Sequence, residues 1–180
     1  MNEIQRTIAA AAVAASIACL GACSATQTVH MEGSRVELYD SVKGIVADSS
    51  VVAVVDVHHQ EVVKDDIEYT LSTATIIEKF SPAGLGVEVP ADTPHLAGET
   101  VVVRQMGVEG MELPYAILRS GEKYLLFLSP TVLKKDGLAQ YYITGGSAGL
   151  YSVDGDRFVH GPFEEGDQLP NALTAADLKG

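Results

Sequence analysis

Val51-Val52-Ala53-Val54-Val55-Asp56-Val57 is a nearly unbroken β-branched run. A strand with one wet face alternates apolar and polar residues, whereas a run like this one fits a strand covered on both sides. Working outward, Ile67, Tyr69, Leu71, Thr73, Thr75 and Ile77 alternate with Glu68, Thr70, Ser72 and Glu78. That is a period of two over a stretch longer than most strands, which predicts curling or a bulge. Glu99 to Gln105 carries the next strand, centred on Val101 to Val103, and Lys123 to Ser129 (Lys-Tyr-Leu-Leu-Phe-Leu-Ser) is the most apolar of the set. The latter is expected in the middle of the core. Tyr141, Tyr142 and Ile143 form another strand, closed by Gly145-Gly146. Leu150, Tyr151 and Val153 lead into Asp154-Gly155, with Arg157, Phe158 and Val159 beyond. Asp-Gly between alternating runs is a strong hairpin signal.

Helical periodicity is confined to the flanks. Ser34-Arg35-Val36-Glu37 has the form of a capping box, and Val36, Tyr39, Val42 and Val46 follow at helical spacing. Gly44 weakens this amphipathic helix. Thr174-Ala175-Ala176-Asp177 suggests a minor C-terminal helix. The fold class is therefore all-β, with about six to seven strands, one N-terminal amphipathic helix and a small helix at the end. No internal repeat is visible.

Residues 34–180 form this single domain. Residues 1–22 are of another kind: an apolar segment from Thr7 to Leu20, shorter than the roughly 20 residues that span a bilayer, follows a polar head containing Arg6. It ends in Leu20-Gly21-Ala22-Cys23. Length, small residues and position suit a secretory signal. The four residues resemble the lipobox of bacterial lipoproteins, and that resemblance implies cleavage before Cys23 and a diacylglyceryl group on its thiol, with its freed amine open to a further acyl chain. Cys19 fits less well, because Ser16 stands where an aliphatic residue is usual. Residues 23–33 read as a lipidated tether, in which about ten flexible residues reach roughly 15 to 20 Å. Two or three acyl chains, at about 0.8 kcal/mol per buried methylene, anchor stably where one does not. The expected location is the extracytoplasmic face of the cell membrane, or the outer membrane.

Charge supports a lipid rather than an electrostatic hold. The chain carries 12 Lys and Arg against 24 Asp and Glu, a formal net charge of −12, and the signal segment removes Glu3 and Arg6 together. This balance disfavours nucleic acid and offers no basic patch to anionic lipid. Only two cysteines are present. With Cys19 removed and Cys23 lipidated, no disulfide, thiolate metal site or thiol nucleophile remains, so the core must stabilise the domain unaided.

Gly121-Glu122-Lys123-Tyr124-Leu125-Leu126-Phe127-Leu128, with the valine run and the later Gly-Gly and Asp-Gly signals, resembles an uncharacterised family of bacterial lipoproteins over roughly residues 35–160. More distantly, the order of elements is similar to netrin-like, TIMP-like domains, which implies an OB-like barrel; a small β-sandwich is the other architecture open to such strands. Inhibitors among those domains chelate a protease zinc through a free N-terminal cysteine, which a lipid-capped Cys23 would not supply.

Chemistry-bearing groups are sparse. His58-His59 follow the valine strand and His95 lies near Asp92, but adjacent strand residues face opposite ways, which favours solvated histidines over a metal site. Asp65-Asp66 with Glu68 reads as a polar hairpin loop rather than a calcium site, which takes six to eight oxygens. Gly145-Gly146-Ser147-Ala148-Gly149 lacks the ending of a phosphate cradle and reads as a turn. No Gly-x-Ser-x-Gly elbow links a Ser to a His and an Asp. Tyr124, Tyr141, Tyr142 and Tyr151 cluster in the later strands, as core or as a ligand-facing set.

No cofactor, metal or catalytic residue is implied. The expected function is a noncatalytic binding module that holds an envelope protein or polymer near the membrane. The alternative is a solute-binding or enzymatic lipoprotein with a pocket under the Ser81 to Gly98 connection, whose prolines and glycines give a shaped loop. A first prediction concerns the anchor: Cys23→Ser should accumulate as an unprocessed precursor without acyl label, read by mass spectrometry of the membrane fraction. Wild-type protein free of covalent lipid would refute the anchor.

Overall fold

The computed structural model describes residues 37–81, 85–87, 97–113, 115–161 and 167–179. The signal segment, Cys23, the tether and Ser34 to Val36 lie outside the described residues, as does most of the Ser81 to Gly98 connection. One short helix, α1 (Val42–Ala47), precedes β1 (Val51–Lys64), β2 (Glu68–Phe80), β3 (Thr100–Met106), β4 (Lys123–Lys135) and β5 (Leu138–Ile143). A 3-10 turn (Gly146–Gly149) leads to β6 (Leu150–Asp154), β7 (Arg157–His160) and β8 (Ala172–Thr174). The all-β class holds, with eight strands among the described residues rather than six or seven.

The pairing order explains the valine run. β1 pairs antiparallel with both β2 and β4, β2 with β3, β3 in parallel with β5, and β5 antiparallel with β4. These pairings form a circuit, β1-β2-β3-β5-β4-β1. Inside it pack Val51, Ala53, Val55 and Val57 of β1, Val101 and Val103 of β3, and Leu126 and Leu128 of β4. The alternate residues Val52, Val54, Leu125 and Phe127 face a second core, built with Ile45 and Val46 of α1, Phe80, Tyr151, Phe158, Leu173 and Leu178. β6 continues the antiparallel ladder on the same edge of β4 as β5, and β7 and β8 follow it outward. β1 and β4 are thus buried on both faces, as their composition requires. Leu85 and Val87, inside the Ser81 to Gly98 connection, pack against the second core.

Several expectations need correction. The first three residues of the Ser34 box lie outside the described residues, but Glu37 to Asp40 are not helical, and Ser41 caps α1, its Oγ accepting from Gly44 N at 3.2 Å. Tyr39 explains the delay, because its N–H donates to Asp167 Oδ1 (2.9 Å) and its carbonyl accepts from Gln168 N (2.9 Å). Backbone groups committed to the distant 167–168 segment cannot join a helix ladder. The C-terminal helix is replaced by β8 and turns: Leu173 pairs with Phe158 and is buried in the second core. Asp177 then closes the turn by accepting from Thr174 N (2.7 Å) and Thr174 Oγ1 (2.8 Å). Tertiary pairing has overridden local helix preference.

β2 buries more of its second face than its sequence advertises. Thr70, Ser72, Ala74 and Ile76 are buried along with Leu71 and Phe80, Tyr69, Thr73 and Thr75 are half-buried, and Ile77 is exposed. The register shift between Val54 and Val55 of β1 leaves Ile77 as an extra residue on β2, and a second shift sits at His58. Small inward residues are needed because the segment after β3 crosses this end of the circuit. There Gln60 donates to the Leu118 carbonyl and to Ser72 Oγ (3.0 Å), and Gln105 accepts from Leu118 N (2.9 Å). Leu118 itself belongs to the inner core.

The β4–β5 hairpin was not foreseen at this length. β4 runs past Ser129 to Lys135, and Asp136 (φ 50°) with Gly137 (φ 84°) makes the turn. Pro130, which has no N–H, masks the continuation, and a register shift follows between Pro130 and Lys134. The hairpin signalled by Asp154-Gly155 is present, joining β6 to β7, with the turn one residue later: Asp154 pairs with Arg157, and Gly155 (φ 61°) and Asp156 make the turn.

Phe127 is fully buried and its ring lies 6.0 Å from that of Tyr151. Phe127→Ala should therefore cost about 3 to 5 kcal/mol in urea unfolding of the protein. A loss below about 1 kcal/mol would contradict the double-sided burial of β4.

Candidate functional site

The long irregular segment Gly107 to Glu122 between β3 and β4 was not distinguished by sequence, which pointed to Ser81 to Gly98 as the one such connection. Three clefts border it, of about 240, 340 and 370 Å³, and Tyr115 touches each. The smallest is chemically the most specific. It lies near where β3 and β5 part company: their parallel register ends at Val103↔Tyr141, and Met106 and Tyr142 beyond it both line the cleft. Met106 (38% exposed) and Tyr142 (43%) are among the few large apolar side chains left open to solvent.

Arg104 lines this cleft and is only 6% exposed. Its guanidinium carbon stacks 3.7 Å from the centre of the Tyr69 ring. One terminal nitrogen donates to Asp65 Oδ2 at 3.1 Å in the β1–β2 turn, and the other reaches Gln140 Oε1 of β5 at 3.5 Å. Nε is buried and has no partner among the described residues. A buried donor left open costs roughly 1 to 3 kcal/mol. The paired carboxylate compensates weakly, because the Asp65 side chain is 75% exposed and so screened by water. Lys135 Nζ bonds Glu61 Oε1 at 2.9 Å, tying the β4–β5 hairpin to β1 beside the site. Tyr115 closes the rim, its hydroxyl donating to the Met106 carbonyl at 3.0 Å.

The groups singled out from sequence are dispersed. His58 and His59 lie inside β1 rather than at its end, and both are exposed because the bulge at His58 breaks strict alternation. His58 Nε2 is 2.8 Å from Thr75 Oγ1. His95 and Asp92 lie outside the described residues. Asp65 and Asp66 form the polar hairpin turn, with Asp65 facing Arg104. Among the described residues no three of His, Cys, Asp and Glu are grouped to hold a metal. Gly145 to Gly149 is the turn expected, with Gly145 at φ 64° against the Tyr39 ring. Of the four tyrosines, Tyr124, Tyr141 and Tyr151 are core, and Tyr142 alone faces the cleft. Burial pushes the Tyr124, Tyr141 and Tyr151 hydroxyls above the usual phenol range. Arg104 itself was passed over; the available signal was a charge directly behind Val101-Val102-Val103.

The largest cleft is lined by Ser147 and His160, both buried. They do not form a nucleophile and base, because His160 Nε2 faces the Ser147 carbonyl at 2.7 Å and Nδ1 faces the Gly161 carbonyl at 2.6 Å. The ring meets Tyr151 edge-on at 4.5 Å. Burial holds the imidazole below its ordinary range, and carbonyls of Gly161, Ser147 and Ala148 together with Asp167 oppose that only in part. No family model, curated protein or solved structure matches the chain.

The lowered His160 value fixes the sign of an acid effect. Below about 6.5 the unfolded chain binds a proton that the folded protein resists, so stability falls as pH drops through that value. His160→Gln should flatten this loss below about pH 6.5 in urea titrations. An unchanged pH profile would show that His160 carries its proton equally in both states.

Proposed function

We propose that this chain is a lipid-anchored, noncatalytic binding module of the cell envelope, with the Arg104 cleft as its contact face. The observation that supports the binding reading is a nine-tenths-buried guanidinium with an unpartnered Nε beside solvent-open Met106 and Tyr142. Pockets that bind combine an apolar lining with a few convergent polar groups, and this cleft has that composition. The anchor reading rests on Leu20-Gly21-Ala22-Cys23 and on a net charge that gives membranes no electrostatic hold. Among the described residues no helix is long and apolar enough to cross a membrane.

We read the five-strand circuit as an OB-like barrel. Barrels of that kind bind across strands two and three, between the loops that join strands one to two and four to five. Here those elements correspond to Tyr69 of β2, Arg104 and Met106 of β3, the Asp65 turn and the Asp136-Gly137 turn. The partner is a protein or polymer of the envelope rather than nucleic acid, given the −12 charge.

A photoactivatable phenylalanine analogue at position 142 of the full-length protein tests the face in native membranes. It should yield a covalent adduct on illumination, while the same group at Asp154, on the β6–β7 hairpin, should yield none. Equal labelling from the two positions, or none from 142, would remove this cleft as the contact face.

A further inference from the structure

Arg104 is poorly neutralised for a residue so buried. Its guanidinium has five donors in a planar fork that matches a carboxylate. The protein supplies one exposed carboxylate through a single contact at 3.1 Å, one amide oxygen at the 3.5 Å limit, and nothing at Nε. Around this cation the cleft is mostly aromatic and apolar, with Tyr69, Met106, Tyr115 and Tyr142, and the amide of Gln105 is already bonded to Ala116 and Leu118. A carboxylate attached to an apolar body satisfies both features, because it can replace the water-exposed Asp65 carboxylate on the guanidinium while its body covers the apolar lining.

The shape narrows the source. At about 240 Å³ the cleft holds roughly one or two residues rather than a whole folded element, and its mouth lies where β3 and β5 have stopped pairing. A polypeptide can enter by its last residues and leave along those strand ends, as extended peptides do when they lie against open strand edges. We infer that the cleft captures the C-terminal carboxylate of a partner polypeptide ending in an apolar residue, with Arg104 as the carboxylate fork. This inference rests on the contact-face reading above and assigns its partner chemistry. Asp65 then acts as an internal competitor, occupying part of the fork until the incoming carboxylate takes its place.

The test uses full-length protein in detergent and three probes: an N-acetylated pentapeptide ending in Val-Leu with a free carboxylate, the same peptide as its C-terminal amide, and octanoate. Titration calorimetry should show the free acid binding at least tenfold more tightly than the amide. Asp65→Asn should strengthen the acid several-fold and leave the amide unchanged, since it removes a competing and repelling charge. Arg104→Gln should erase the difference between acid and amide. Equal affinity for acid and amide, no binding of the acid at millimolar concentration, or weaker acid binding in Asp65→Asn would each overturn the assignment, as would octanoate binding as tightly as the peptide. Should Arg104→Gln fail to fold, the acid-to-amide ratio and Asp65→Asn decide the matter. Failure of all three probes with position-142 labelling intact would discard the carboxylate and keep the contact face.

Discussion

The antiparallel pairing of β1 with β4, from Val51↔Leu128 to Asp56↔Lys123, is the constraint on which the other elements depend. It closes the circuit, and it sets two strands side by side that are apolar on both faces. Burying a valine or leucine side chain contributes about 1.5 to 3 kcal/mol, so leaving the outer row of Val52, Val54, Leu125 and Phe127 in water would forfeit several such contributions. α1, the β6–β8 extension and the C-terminal turns exist in their observed positions because they cover that row. Tyr39 shows how tightly the cover is fastened. Its ring packs in the second core, its backbone bonds the 167–168 segment, and its hydroxyl reaches Asp48 Oδ2 at 3.0 Å.

Double-sided burial is also what made the fold legible. A continuous Val run has one physical reading in a β context, and it led to the right class and to Phe127 at the centre. Legibility failed where a residue's environment comes from far along the chain. Nothing local distinguishes Ala172 to Thr174 from the start of a helix; its pairing with β7 does. Nor does β2 announce that its smaller residues face inward, since that follows from Leu118, Gln60 and Gln105 occupying the same end of the circuit. The continuation of β4 past Ser129 is hidden in another way, because Pro130 has no N–H to offer a ladder and the chain nevertheless continues as strand to the Asp136-Gly137 turn.

The candidate site was the least legible part, and the reason is physical. Single-sequence motifs report chemistry carried by neighbours in the chain, such as paired histidines or glycine-rich turns. Arg104, Asp65, Tyr69, Gln140 and Tyr142 come from β3, the β1–β2 turn, β2 and β5, and the β2–β3 and β3–β5 pairings together assemble them. The histidines that do attract notice, His58 and His59, are set side by side by a bulge and face solvent.

Arg104 has two roles that pull against each other. As a structural group it links the β1–β2 turn to β5, so its removal would leave Asp65 and Gln140 without their partner. A purely structural link of this kind is weakly favourable, because desolvating a guanidinium offsets much of what one water-exposed carboxylate returns. A hydrophobic residue stacked on Tyr69 would seal the same gap with less electrostatic cost. The cation is better explained by its weak pairing: a guanidinium whose charged partner is one water-exposed carboxylate, near where the parallel register of β3 and β5 ends, can exchange that partner for one from outside. Stability given up at such a point is the usual mark of a binding site set into an otherwise well-satisfied core.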